Sequence, residues 1–221
     1  ARAQARARSH MTHTATTGIA HAETAGSGTR AQFLQTATHL FAARGFYGVS
    51  IAAIAAEMGL TKQALLHHFG TKEKLYGEVL ARISDAFAGA VAAQSHVKTP
   101  EDQLEAVVLE IYRRAMANPD ETQLLMRELL DNKRRAEQAG TWYLKPFLDD
   151  LVAIARQTGR WRDAGDAAVR AGIYQLLGAV NYFAVSEPTL KRMFGQNAFA
   201  ELRQAYPAAL TRLIQGSVGQ P

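Results

Sequence analysis

The chain reads as all-α, and three observations carry that reading. Apolar residues recur at i, i+3, i+4 and i+7 in one segment after another, while no segment alternates with the period of two that a strand needs. Good helix-starting residues precede these segments: Ser50, Thr61, Thr71 and Thr99. Gly45, Gly59 and Asn118-Pro119 follow them, where a helix must stop or turn.

Taken in order, residues 1–28 are rich in Ala, Thr, Arg and Gly without apolar periodicity, so a disordered basic tail is expected. It is either a floppy segment or an arm reaching into a groove. The first helix is expected over 29–44, with Phe33, Ala37, Leu40 and Phe41 on one stripe. Ser50 caps a short second helix carrying Ile51, Ile54, Ala55 and Met58. Gly59 then turns the chain, and Thr61 caps a third helix that sends Leu65 and Phe69 inward. Gly45, Gly48 and Gly59 are read as structural, Tyr47 as a packing residue or phosphate contact. Thr71 opens a long helix to about Ser95, with Leu75, Val79, Leu80, Ile83 and Phe87 on its stripe; Glu78 comes too late for a capping box.

Thr99-Pro100 starts the next helix in the favoured cap-then-proline order, and Leu104, Val107, Val108, Ile111 and Ala115 give it an apolar face. A helix over 120–138 is apolar early, at Leu124, Leu125 and Leu129, and polar from Asp131 onward. Another spans 142–158, with Pro146 in its first turn and Phe147, Leu148, Leu151, Val152 and Ala155 inward. The segment 163–186 is apolar on several sides and carries small residues (Ala168, Ala171, Gly172, Gly178 and Ala179) that allow close helix approach. A last helix over 197–215 is expected to be interrupted at Pro207.

Composition excludes several classes. The 221 residues contain no cysteine, so disulfides, thiolate metal sites and cysteine nucleophiles are ruled out together. No apolar run approaches the ~20 residues that cross a bilayer, and no membrane association is expected. The beginning of the chain lacks the long apolar stretch of a secretory signal, so a cytoplasmic location is the expectation. No GxSxG elbow, phosphate loop or HExxH is present, and an enzyme is not expected. The net charge is +5, and its excess is confined to the first third. Residues 29–75 hold Arg30, Arg44, Lys62, Lys72 and Lys74 against Glu57 and Glu73, while residues beyond 75 balance. A polyanion partner for that third fits, as does an ordinary solvated face.

Two short helices about a glycine turn form a helix-turn-helix, whose second helix is narrow enough for the major groove of double-stranded DNA. Ser50, with the free N–H groups behind it, can hold a phosphate as well as cap its helix. Thr61, Lys62, Gln63 and Ala64 form the first turn of the reading helix. There Lys62 can meet guanine or phosphate, Gln63 can pair with adenine, and Ala64 can touch a thymine methyl. Lys72, at the start of the following helix, can reach a phosphate. His67 and His68 point about 100° apart on a helix, which makes them poor joint metal ligands, and neither metal nor cofactor is expected.

FAARGFYGVSIAAIA, EMGLTKQAL and HHFGTKEKLY, in that order, resemble the DNA-binding domain of the TetR (tetracycline-repressor-like) family of bacterial transcription regulators. The resemblance covers residues 29 to about 80. It implies a helix-turn-helix domain at 29–75 and a larger helical ligand-binding and dimerisation domain at 76–217. His67 and His68 then occupy an aromatic segment that faces the phosphate backbone; Leu66 stands where a tyrosine is frequent, which puts one phosphate contact in doubt. The resemblance further implies a homodimer formed through the last two long helices, a palindromic operator, and a small-molecule effector of unreadable identity that releases the repressor. Tyr112, Met116, Met126, Trp142, Tyr143, Phe147, Tyr174, Gln175, Asn181 and Phe183 are the candidate lining of its pocket, against the alternative that each packs the core. Tyr174, Gln175, Asn181 and Tyr182 carry extra weight, because polar groups within an apolar helix need partners. Arg113, Arg114 and Arg127 are either anion-neutralising groups or solvated surface. The other reading is a helical interaction or sensor module that keeps the fold without sequence-specific DNA binding.

Overall fold

A computed structural model describes residues 15–131 and 143–218, and among these the chain is helical throughout, with no strand. The helices are α1 (Ala15–Arg44), α2 (Ile51–Glu57), α3 (Lys62–Phe69), α4 (Lys72–Ala93) and α5 (Pro100–Ala117). They continue with α6 (Pro119–Asp131), α7 (Lys145–Ala155), α8 (Asp166–Phe194) and α9 (Gln196–Val218).

Local signals set most of the starts. Ser50, Thr61, Thr71 and Thr99 sit in extended backbone, and each hydroxyl accepts from the amide three residues on, at 3.1–3.2 Å. Each bond satisfies one amide that the first helical turn leaves orphaned, worth about 1 kcal/mol. Gly59, between α2 and α3, takes φ 67°, where a side chain would clash with its own backbone. α2 and α3 can therefore fold back on each other.

Several expected boundaries move. α1 begins at Ala15 rather than Thr29, so residues 15–28 of the expected disordered tail lie in the helix. That stretch is alanine-rich and has no proline to stop it. Residues 1–14 lie outside the described residues, as does the expected extension of α6 to Gln138. α8 does not end at Ser186 but continues through Pro188 to Phe194. α9 is not interrupted at Pro207. Proline inside a helix costs about 3 kcal/mol. Residues beyond each proline offset it: Phe199, Leu210 and Ile214 are fully buried, at about 1.5–3 kcal/mol each. The hydroxyl of Tyr206 also donates to the Ala179 carbonyl at 2.8 Å, tying α9 to α8.

α1 packs on α4 and α6, and α2 and α3 close against the same side to form the head. α5 is the central post of the body, touching α4, α6, α7, α8 and α9. Head and body share one continuous core. Phe33, Phe41, Ile54, Leu65 and Phe69 lead through Tyr76 into Ile83, Leu104, Ile111, Leu151 and Ile173. Gly172 serves packing inside the subunit: a Cβ there would stand 2.4 Å from the Trp161 ring, so the indole occupies its space.

Candidate nucleic-acid interface and ligand cavity

α3 is anchored by its inner face and free on its outer one. Leu65 and Phe69 are buried, and Phe69 meets Phe33 edge-on with centroids 5.7 Å apart. Thr61, Lys62, Gln63, His67 and His68 are exposed and Ala64 is half-buried. The side chains of Lys62 and Gln63 have no hydrogen-bond partner among the described residues. The first turn is thus presented to solvent with the side-chain donors of Lys62 and Gln63 uncommitted. The two histidine rings stand perpendicular, 5.8 Å apart, and His68 leans on Phe33 at 5.1 Å. Leu66 is half-buried and packs on the core.

Lys72 is placed differently from Lys62. Its ammonium sits 4.2 Å over the Phe46 ring. Burial there lowers its pKa below the usual lysine value, and the Glu73 carboxylate acts in the opposite sense. Ser50 caps α2 and remains exposed, as does Tyr47.

Arg30 is a structural residue that periodicity does not reveal. Its guanidinium pairs with Glu78 at 2.5 Å, donates to the His68 carbonyl at 3.2 Å and covers the Phe69 ring at 4.5 Å. A cation at the carboxyl end of α3 also suits that helix's dipole. One side chain thereby holds α1, α3 and α4 together.

α6 links head to body. Arg127 donates to the carbonyls of Ala42 and Ala43, at 2.6 and 3.0 Å, completing bonds that the end of α1 lacks. Tyr76 donates to Glu128 at 2.5 Å. Glu121 accepts from both Arg82 (3.3 Å) and Arg114 (2.5 Å), and Arg82 also reaches Thr38 of α1. Arg113 pairs with Glu110 on its own helix. None of these three candidate arginines lines the ligand cavity.

That cavity, about 260 Å³, lies between α4, α5, α6, α7 and α8. Ile111, Leu125, Phe87 and Phe147 form its buried walls, the two phenyl rings stacked 4.9 Å apart. Met126, Leu144, Leu148, Leu177 and Val185 add half-buried apolar surface, and Leu129 lies at the edge. Tyr174, Gly178 and Tyr182 bring their outward sides to it, with Asn181 as the one amide side chain among the described lining residues. Of the expected lining, Met126, Phe147, Tyr174 and Asn181 are brought together.

The others go elsewhere. Tyr112 and Phe183 join Phe199 and Tyr206 in a stacked cluster between α5, α8 and α9, with Phe183 and Tyr206 centroids 3.7 Å apart. Met116 packs on the core, Gln175 faces solvent, and the Tyr143 carbonyl accepts from Ser84. Trp142 lies outside the described residues. Phe87, Leu144, Leu148 and Leu177 also line the cavity; helical spacing marks Phe87 and Leu148 only as core.

α8 and α9 also expose apolar surface. Tyr174 is 60% and Tyr182 76% exposed, and Met193, Phe194, Leu202 and Leu213 are also open. Ala198, Leu202, Ala205, Ala209 and Leu213 make an outward stripe at helical spacing along α9.

Residues 33–79 match the family model for "Bacterial regulatory proteins, tetR family". The chain is 26% identical over 167 residues to the HTH-type transcriptional repressor AcnR of Corynebacterium jeikeium, a match spanning 69% of this chain and 88% of that one. It is 39% identical over 75 residues to an HTH-type transcriptional repressor of Mycobacterium tuberculosis, a match covering 34% of this chain and 38% of that one. The fold is similar to that of the transcriptional regulator FadR from Bacillus subtilis in complex with stearoyl-CoA. That similarity has a TM-score of 0.65 and 15% identity, over 85% of this chain and 97% of the other.

Proposed function

The chain belongs to the tetR family of bacterial regulatory proteins, and from that premise we propose that it is a homodimeric repressor whose hold on a palindromic DNA operator is released by a small-molecule effector. The observation that carries this is the outer face of α3: Lys62 and Gln63 stand open on a helix whose inner face is locked by Leu65 and Phe69. Lys62 supplies salt-sensitive attraction, and Gln63 and Ala64 supply base choice in the major groove. Ser50, Thr61, His67 and His68 contact the flanking phosphates. Lys72 contributes through the local field, with its ammonium over Phe46.

The exposed apolar faces of α8 and α9 favour a second copy as their cover, because a monomer rarely leaves such surface open. Two-fold symmetry then sets two α3 helices toward successive major grooves. α6 lines the cavity through Leu125 and Met126 and holds α1 through Arg127. A ligand that shifts α6 therefore shifts the head, and a coupling of ~1–3 kcal/mol changes operator occupancy 5- to 150-fold. No described helix is long and apolar enough to cross a membrane, and the regulator acts in the cytoplasm.

The test is a mobility shift on the DNA upstream of the protein's own coding sequence, repeated across a salt series. A retarded band that weakens steeply with salt supports the reading. Failure to bind any fragment in a randomised-site selection overturns it.

A further inference from the structure

We propose that the effector is an uncharged, mostly apolar molecule with a single hydrogen-bonding group, read by Asn181. This deepens the reading of the chain as a ligand-released regulator and rests on it. Among the described residues, no charged side chain lines the cavity between α4 and α8. Arg114, whose guanidinium lies 5.8 Å from the Phe87 ring, is already neutralised by Glu121 at 2.5 Å. An anionic ligand would be stripped of water without a counter-charge, at several kcal/mol.

A cationic ligand fares little better. Among the described residues no carboxylate lines the cavity, and Phe87 and Phe147 stack on one another, so part of the aromatic face a cation would use is covered. Apart from the exposed Tyr174 and Tyr182, Asn181 is the polar side chain of the described lining. It is half-buried on an apolar wall, and its amide has no hydrogen-bond partner among the described residues. An amide left this way gains about 1 kcal/mol when a ligand group meets it.

Size follows from the volume. A dry cavity of about 150 Å³ holds benzene, so about 260 Å³ suits roughly ten non-hydrogen atoms. Three of its exposed lining residues, Tyr174, Gly178 and Tyr182, lie on α8, so the second copy proposed for that face would cover that side.

Calorimetric titration of the full chain with 2-naphthol, 2-naphthoate and benzyltrimethylammonium tests this. The neutral naphthol should bind at least tenfold tighter than either charged probe. Asn181→Leu should weaken naphthol about fivefold, the loss of one ordinary hydrogen bond, and leave naphthalene unchanged. Leu148→Trp should fill the cavity and abolish both. A charged probe binding as tightly as naphthol overturns the inference, and so does the absence of naphthol binding. A ligand-free DNA mobility shift separates the two readings. Naphthol binding without DNA binding overturns the regulator alone, whereas DNA binding with no preference for the neutral probe overturns the effector class alone.

Discussion

Glu121→Gln removes one negative charge from a junction where two arginines depend on it. The Glu121 side chain is 12% exposed, and Arg114 and Arg82 approach its two oxygens at 2.5 and 3.3 Å. Breaking a fully buried pair costs about 3–5 kcal/mol, because the remaining charge stays desolvated. Arg114 is 24% exposed and its Nε is buried without a partner, so it bears most of that cost, about 2 kcal/mol. Arg82 is 39% exposed, so water screens it and its share falls to about 0.5 kcal/mol. The sum of about 2–3 kcal/mol should lower Tm by roughly 4–10 °C in a chain of this size. Urea unfolding followed by circular dichroism, at matched protomer concentration, reads the change directly. Glutamine preserves shape, so helix content should stay as it is. A loss under about 0.5 kcal/mol would refute the claim that this carboxylate holds α4, α5 and α6 together.

Further outcomes follow from the same contacts. Arg127→Met, which gives up two charge-assisted bonds to the end of α1, should cost about 1.5–3 kcal/mol in urea unfolding. It should also weaken DNA affinity in a mobility shift while sparing cavity binding. Leu202→Glu with Leu213→Glu should turn the proposed dimer into a monomer in analytical ultracentrifugation, since both side chains lie on the exposed apolar face. A persisting dimer would locate the interface elsewhere. Lys62→Ala should reduce the salt slope of DNA binding by about 1 across all sequences, whereas Gln63→Ala should change preference at one base position.

Alkaline pH offers a separate check. Burial raises the hydroxyl pKa of both Tyr112 and Tyr206 above the ordinary 10.0. Their folded values exceed the unfolded ones, so this contribution is fully present below about pH 10 and is lost as pH rises beyond it. Replacing both by phenylalanine should flatten the fall in Tm above that pH.

The legible part of this protein is the part built from neighbours in the chain. Ser50, Thr61, Thr71 and Thr99 each close a bond three residues away, and the stripes from Phe33 to Phe41 and from Leu75 to Phe87 need only helical spacing to declare a buried face. The outward first turn of α3 follows from the same periodicity, once Leu65 and Phe69 are assigned inward. Contacts spanning many residues are not so coded. Arg30 to Glu78, Arg127 to Ala42 and Lys72 over Phe46 arise only when helices meet, and each changes what a charge at that position does. The two prolines show the same division: local rules end a helix near Pro188 and Pro207, yet burial of Phe199, Leu210 and Ile214 outweighs them. Helical spacing also could not tell which apolar side chains would fill space and which would surround it. Tyr112 and Phe183 both stack on Tyr206 in a solid cluster, while Phe87 and Leu148 border a cavity. That outcome depends on how far apart the packed helix axes come to rest, a property of the assembled body that no single stretch of chain contains.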